Sequence, residues 1–378
     1  MFQRKIFNEE QKQFRNTVAK FVKKEISPNH LKWEKEGIVP KELWLSAGEK
    51  GILCPNVPEE FGGIGGDFRF NVIVTEELAK AGATGPGFAV HSDIVAPYLI
   101  NYASTDQKKE ILPLMVKGAC ITAIAMSEQG TGSDLQNIKT KASINKSEIV
   151  LSGSKTFITN GQNADLVLVV AKTDALKKAK GISIILCETD RLGFKKGKNL
   201  EKLGLKAQDT SELFFDNIKL PKSNILGEQG HGFFQLMDEL PQERLSIAVT
   251  AISSAEAALN WTIAYTKERE AFGKKIIDFQ NTKFTLAKLK TELAVARAYI
   301  DRCIKEHLNN NFSAEDGAMA KLWTTDLQCK VMDECLQLYG GYGYMLEYPI
   351  SRAYADSRVQ KIYGGTNEIM KEIISRNL

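Results

Sequence analysis

The period of the apolar residues changes twice along the chain, and this limits the fold more than any single motif does. Up to about residue 118 the apolar positions recur at helical spacing, as in Phe14, Val18, Phe21 and Val22, and again in Ile73, Val74 and Leu78. The stretch 55–67, "PNVPEEFGGIGGD", interrupts them with two prolines and four glycines and reads as a surface crossing. Between 121 and 226 the pattern becomes short β-branched and aromatic runs bounded by Gly, Asn and Asp: 121–126, 148–151, 155–159, 166–171, 182–187 and 212–220. Strands spaced this closely leave no room for the helices that parallel connections need, so the spacing predicts a small barrel or sandwich. Helical spacing then returns in three runs, 242–270, 280–309 and 314–338, each about twice an ordinary helix length, which suits a bundle. The chain reads as mostly α with a central β domain. An N-terminal helical domain is expected over 1–120, a middle β-barrel or sandwich domain over 121–226, and a C-terminal four-helix bundle over 227–378.

Composition matters for what it excludes. Apolar residues at 43% and charged residues at 25% fit a globular chain rather than a disordered one. The longest apolar stretch, 166–171, is far short of the roughly 18 residues that cross a bilayer. Met1-Phe2-Gln3-Arg4-Lys5 runs into a charged amphipathic pattern without the apolar core of a secretory leader, so a cytoplasmic protein is expected. A net charge of +4 is too small to mark a nucleic-acid protein, and Lys195-Lys196-Gly197-Lys198 reads as a solvated loop. The six cysteines contain no CxxC and the four histidines have no ligand spacing, so no metal is expected.

Glycine-bearing segments carry the candidate chemistry. In 126–134, "MSEQGTGSD", two glycines and three hydroxyl side chains leave a strand and can bring N–H and O–H donors to a polar ligand. The strand 155–161, "KTFITNG", follows and ends in an Asn-Gly turn. Farther on, Arg269 precedes a break at Gly273, then come Gln280 and Gln337-Leu338-Tyr339-Gly340-Gly341. The planar fork of an arginine suits a pyrophosphate, and paired glycines open the backbone to a ligand. In the tail, Thr366 or Asn367 caps a helix whose N-terminus offers free N–H groups. Taken singly, these are equally a Gly/Ser turn, a hairpin turn, a helix C-cap at Gly273 and a turn at Gly340-Gly341.

In this order and spacing, "MSEQGTGSD", "FITNG", "REAFGKKI", "QLYGGYGYM" and "YGGTNEIMKE" resemble the acyl-CoA dehydrogenase family over nearly the whole chain. With "LPQERL" at 240–245 the pattern is most similar to the long-chain branch. The resemblance implies an FAD enzyme that oxidises acyl-CoA thioesters to trans-2-enoyl-CoA, as in fatty-acid β-oxidation, passes electrons to an electron-transferring flavoprotein and assembles as a homotetramer. It further implies that Ile124, Ala125, Met126, Ser127, Gly132 and Ser133 face the flavin, with Ser133 also near the acyl-CoA, and that Phe157, Ile158 and Thr159 lie along the isoalloxazine. Arg269, Gln280, Gln337, Leu338, Tyr339, Gly340 and Gly341 would hold the diphosphate and adenosine of a neighbouring subunit's FAD, and Thr366, Asn367 and Glu368 would complete the site. Phe234, Pro241, Gln242, Arg244, Gly364 and Gly365 would contact the acyl-CoA. Gln129 and Thr131 stand where the family usually has Pro and Ala, so a looser loop and weaker flavin binding are expected. Phe157 replaces the Trp of many members and keeps a ring that can stack.

Such a reaction needs a carboxylate base for the α-proton. Many family members place a glutamate between the Tyr and the Gly-Thr of the terminal motif, a slot that is Gly364 here. The long-chain and isovaleryl branches carry the base in the helix bearing "ERL", and this chain has Glu243-Arg244-Leu245. A glycine at 364 spares Glu243 the repulsion of a second carboxylate. Glu243 is the expected base, placed in a first helical turn after Pro241, where an ordinary solvated acid would also sit. Glu239, Glu347 and Glu368 are its rivals. The resemblance assigns the thioester oxyanion to a flavin ribityl hydroxyl and to the backbone N–H at Gly364, which needs no side chain. Gly364 also keeps open a catalytically silent flavin- and acyl-CoA-binding subunit. An oxygen-using acyl-CoA oxidase is expected to carry an additional C-terminal domain.

Overall fold

The computed structural model describes residues 4–376 and Leu378, so Met1-Phe2-Gln3 of the N-terminal stretch lies outside the described residues. Among the described residues six α-helices lead: α1 (Glu9–Phe21), α2 (His30–Glu36), α3 (Lys41–Glu49), α4 (Phe68–Lys80), α5 (Ala96–Tyr102) and α6 (Thr105–Val116). Their starts are written locally. Asn8 with Gln11 and Ser104 with Gln107 each form a reciprocal capping box, and Asp67 caps α4 after the proline- and glycine-rich crossing. A π-helical segment, Val90–Val95, runs directly into α5 and turns His91 and Asp93 into the interior.

Seven strands follow: β1 (Thr122–Ala125), β2 (Lys141–Ile144), β3 (Glu148–Thr159), β4 (Leu166–Lys172), β5 (Ile182–Glu188), β6 (Phe194–Asn199) and β7 (Thr210–Pro221). They form one sheet in the order β1-β4-β2-β3-β7-β6, with β5 beside β4. The apolar run of β4 is explained by burial on both faces. Leu166, Leu168 and Val170 pack under the N-terminal helices, while Val167, Val169 and Ala171 face the interior of the β domain.

Several readings need correction. The β1–β4 pairing is parallel, because the chain returns to β1 through β2 and β3 rather than through a helix. The runs 148–151 and 155–159 are one strand, β3, bent by irregularities at Leu151/Gly153 and Lys155/Ile158. Lys195-Lys196-Gly197-Lys198 is not a loop but most of β6, an edge strand whose lysines face outward, as edges often do. The Asn160-Gly161 turn closes no hairpin, since β3 and β4 are not neighbours. Asn160 instead sits at φ 63° and its buried amide donates to the Gly87 and Thr122 carbonyls.

The C-terminal part holds α7 (Gly232–Glu268), the two-residue strands β8 (Glu270–Ala271) and β9 (Lys274–Lys275), α8 (Gln280–Leu308), α9 (Ala314–Leu338), α10 (Pro349–Ser357) and α11 (Asn367–Ser375). α7 begins at Gly232 rather than at 242 and carries Pro241 in its interior. Glu243 therefore lies mid-helix and not in a first turn. The lost N–H of Pro241 is tolerated where Gly317 of α9 packs against it, so closely that a Cβ there would lie 3.2 Å from the proline Cα. α7, α8 and α9 share a core of Leu245, Val249, Ile252, Leu289, Leu293, Ile300 and Val331, and α4 joins it through Phe68 and Val72. Among the described residues no helix is long and apolar enough to cross a membrane.

Candidate active site

One face of α7 is the wall on which the site is built. Glu243, Ser246, Ile247, Thr250, Ser254 and Trp261 recur at helical spacing and line a cavity of roughly 1570 Å³, open mouth included. α4 adds Thr75, Leu78 and Ala79; the π segment and the loop before it add Pro86, Ala89, Val90 and Ile94; the β domain adds Ile124, Phe157 and Thr159. The tail closes the cavity with Gln360, Tyr363 and Gly364. All three regions of the chain therefore meet here.

Glu243 is buried, and Tyr98 Oη donates to its Oε1 at 2.8 Å. Burial pushes the carboxyl up to about 7, and the Tyr98 hydrogen bond and the Arg244 charge offset only part of this. Arg244, itself buried, turns away from the cavity and donates from Nε to the Gly364 carbonyl at 3.3 Å, tying the tail to α7. Gly364 sits at φ 64°, and a Cβ there would lie 2.4 Å from Cδ1 of Ile247, one turn on from Glu243. The left-handed conformation favours glycine, while the close atom is only the tip of a flexible side chain. Its N–H has no acceptor among the described residues.

The rival carboxylates are elsewhere. Glu239 faces a separate groove and accepts from Asn101 Nδ2 at 2.7 Å, while Glu347 and Glu368 are exposed. Asp356 is a cavity carboxylate that no motif announced, but it already accepts from Thr84 Oγ1 at 2.9 Å and Leu205 N at 2.5 Å.

The two motifs of the β domain are fastened together beside this cavity. Lys155 Nζ donates to the Met126 carbonyl at 2.8 Å and to Glu128 Oε1 at 2.9 Å, and Thr156 N donates to the Ser127 carbonyl. Glu128 also accepts from Lys139 N and Thr140 N. Its backbone exchanges hydrogen bonds with Thr131, so the loop without proline is closed by its own bonds rather than loose. At the bend of β3, Phe157 stands 70% exposed at φ 60°, a free aromatic face on the cavity rim that fits a planar ring such as a flavin's. Ile124 and Thr159 also reach the cavity, whereas Ala125 and Ile158 pack into the β core. Gly132 and Ser133 are exposed at the loop tip.

Arg269, Gln337, Leu338, Tyr339, Gly340 and Gly341 gather in a second groove, with Gln280 opening α8 beside it. The Arg269 guanidinium lies 5.5 Å from the Tyr342 ring centroid and has no carboxylate partner among the described residues. Nothing lies within 4 Å of where Cβ atoms on Gly273, Gly340 or Gly341 would stand. An unpaired arginine beside open backbone fits a diphosphate. The groove and the cavity share no lining residue.

Other expected site residues stay outside the cavity. Asn367 is spent within the fold, accepting from Lys321 Nζ at 2.8 Å and donating to Thr325 and Asp326. Thr366 caps α11. The Gly365 carbonyl accepts from Lys321, Phe234 is half exposed near the start of α7, and Pro241 and Gln242 face the groove of Glu239 and His307. Tyr98, Gln328 and Gln360 were missed, each in a run whose local pattern is ordinary, and Lys155 was not singled out within the segment 155–161 that it opens.

The sequence matches "Acyl-CoA dehydrogenase, N-terminal domain" over residues 8–119, "Acyl-CoA dehydrogenase, middle domain" over 123–218 and "Acyl-CoA dehydrogenase, C-terminal domain" over 230–378. It is 51% identical over 377 residues to the mitochondrial long-chain specific acyl-CoA dehydrogenase of Sus scrofa, covering 99% of this chain and 88% of that protein. Among solved structures it is similar to an acyl-CoA dehydrogenase from Geobacillus kaustophilus, with TM-score 0.97, 47% identity and 99% of each chain covered. It is also similar to a glutaryl-CoA dehydrogenase from Mycobacterium smegmatis in complex with FADH2, with TM-score 0.92, 29% identity, and 98% of this chain and 95% of that one covered.

Proposed function

The chain belongs to the acyl-CoA dehydrogenase family, and from that premise we propose that it desaturates long-chain acyl-CoA thioesters between Cα and Cβ, with FAD bound and Glu243 as the base. The observation that carries this reading is a buried carboxylate, Glu243, that lines the same cavity as Gly364 and Phe157 and is raised to about 7, while the cavity's other carboxylate, Asp356, is held by Thr84 and Leu205. A base near working pH combines proton affinity with a usable deprotonated fraction.

Bound FAD supplies the hydride acceptor. The protein does the rest. Glu243 takes the α-proton, Tyr98 orients its carboxylate, and the free N–H of Gly364 donates to the thioester oxygen as charge develops there. Arg244 holds that N–H in place through the Gly364 carbonyl.

A long acyl chain is supported by the run of the wall. From Glu243 to Trp261 α7 rises roughly 27 Å at about 1.5 Å per residue, and Ala79, Gly82, Ala83 and Ala89 keep the bore open along it. The Sus scrofa relative carries a long-chain name. That the aromatic rim and the arginine groove are separate within one chain supports a homotetramer in which each FAD is held by two subunits. Electron delivery to an electron-transferring flavoprotein completes the proposal.

Anaerobic titration of the purified flavin-loaded protein with acyl-CoAs of increasing length tests it. Flavin bleaching that is fastest with long chains is the expected result. No bleaching at any length would overturn the reading in favour of a silent binding subunit, and reoxidation faster by air than by electron-transferring flavoprotein would favour an oxidase.

A further inference from the structure

Two glutamines on the cavity wall are not used by this chemistry. Gln328 of α9 and Gln360, in the 3-10 turn after α10, are 2% and 4% exposed, and both line the cavity. The Oε1 of each is sealed from solvent and accepts no hydrogen bond among the described residues. An unpartnered buried amide is costly, and an alkyl chain lying against it offers no relief. Met332, one turn on from Gln328 in α9, lines the same cavity with an apolar side chain. Apart from Glu243, the charged residues that line the cavity are already engaged: Arg352 pairs with Glu34 at 3.5 Å, and Asp356 accepts from Thr84 and Leu205. The ligand group that fits is thus polar but uncharged. A hydroxyl both donates and accepts, so it matches a carboxamide whichever of its two ends faces the ligand.

We propose that the cavity selects acyl-CoAs bearing a hydroxyl on the chain beyond the reacting carbons, held by Gln328 and Gln360. The proposal rests on the dehydrogenase reading above, and the hydroxyl takes no part in the Cα–Cβ step.

The test compares kcat/KM and flavin reduction for a saturated long-chain acyl-CoA with those for monohydroxylated analogues of the same length, the hydroxyl walked along the chain. In the wild-type protein at least one position is expected to exceed the saturated chain by about tenfold, because a site built for a hydrogen bond discriminates against the analogue lacking it. Gln328→Met and Gln360→Met are expected to bring that ratio to parity or below. A wild-type preference for the saturated chain over every hydroxylated analogue would overturn the proposal, and this comparison decides even if a variant fails to fold. A preference that survives in both variants would overturn the assignment to these residues. If saturated and hydroxylated thioesters alike leave the flavin oxidised, the dehydrogenase reading itself falls, and this proposal with it.

Discussion

At Glu243, burial and hydrogen bonding pull the carboxyl in opposite directions. Burial dominates and raises it to about 7, while the bond from Tyr98 favours the charged form. Since only the deprotonated form accepts the α-proton, kcat/KM should fall as pH drops below about 7. Tyr98→Phe removes a partner of the charged form, so the Glu243 carboxyl should move higher still and the acid limb of the profile should shift toward higher pH. A limb that stays in place or moves lower would show that Tyr98 does not set this titration. The pairing of Glu243 with a glycine at 364 was legible in the motifs, and the positive φ at Gly364 supplies its backbone reason. Tyr98, Asp356, Gln328 and Gln360 were not legible. They come from four different elements or turns, and only tertiary folding brings them near α7.

Among the elements, β3 carries most of the information about the cofactor side of the site. Lys155 is buried and its ammonium is depressed to about 8 by that burial, against the pull of Glu128. The pair joins the bend that presents Phe157 to the loop from Met126. Lys155→Met should leave Glu128 buried without its cation and destabilise the protein by about 3–5 kcal/mol. Flavin retention should fall with it, as read by thermal unfolding with and without added FAD. Unchanged stability and retention would mean that the loop is held by its backbone bonds alone. The long helices were legible from their period, and α9 spans Ala314–Leu338 as read. β6 was not legible, because an edge strand of lysines has no apolar alternation to detect. The start of α7 was obscured by Pro241, which reads as a beginning when only sequence is in view.

For the whole molecule, the succession of helices, β domain and helices was legible because each change of period is long enough to outweigh local exceptions. Assembly was legible only through the family resemblance of the motifs, and its further support comes from the spatial separation of the arginine groove from the cavity. If each FAD bridges two subunits, it binds the assembled state and stabilises it by linkage. Arg269→Ala should therefore weaken flavin retention and tetramer stability together. Size-exclusion chromatography that finds a flavin-loaded monomer would contradict this. That the assembled molecule is a dehydrogenase working through Glu243 is tested most directly by anaerobic stopped-flow reduction of the flavin in Glu243→Gln. The substitution keeps the side chain's shape and removes its ability to take a proton, so the variant should fold, stay yellow, bind a long-chain acyl-CoA and reduce its flavin slower by about 10²–10⁴-fold or more. Reduction at the wild-type rate would eliminate Glu243 as the base.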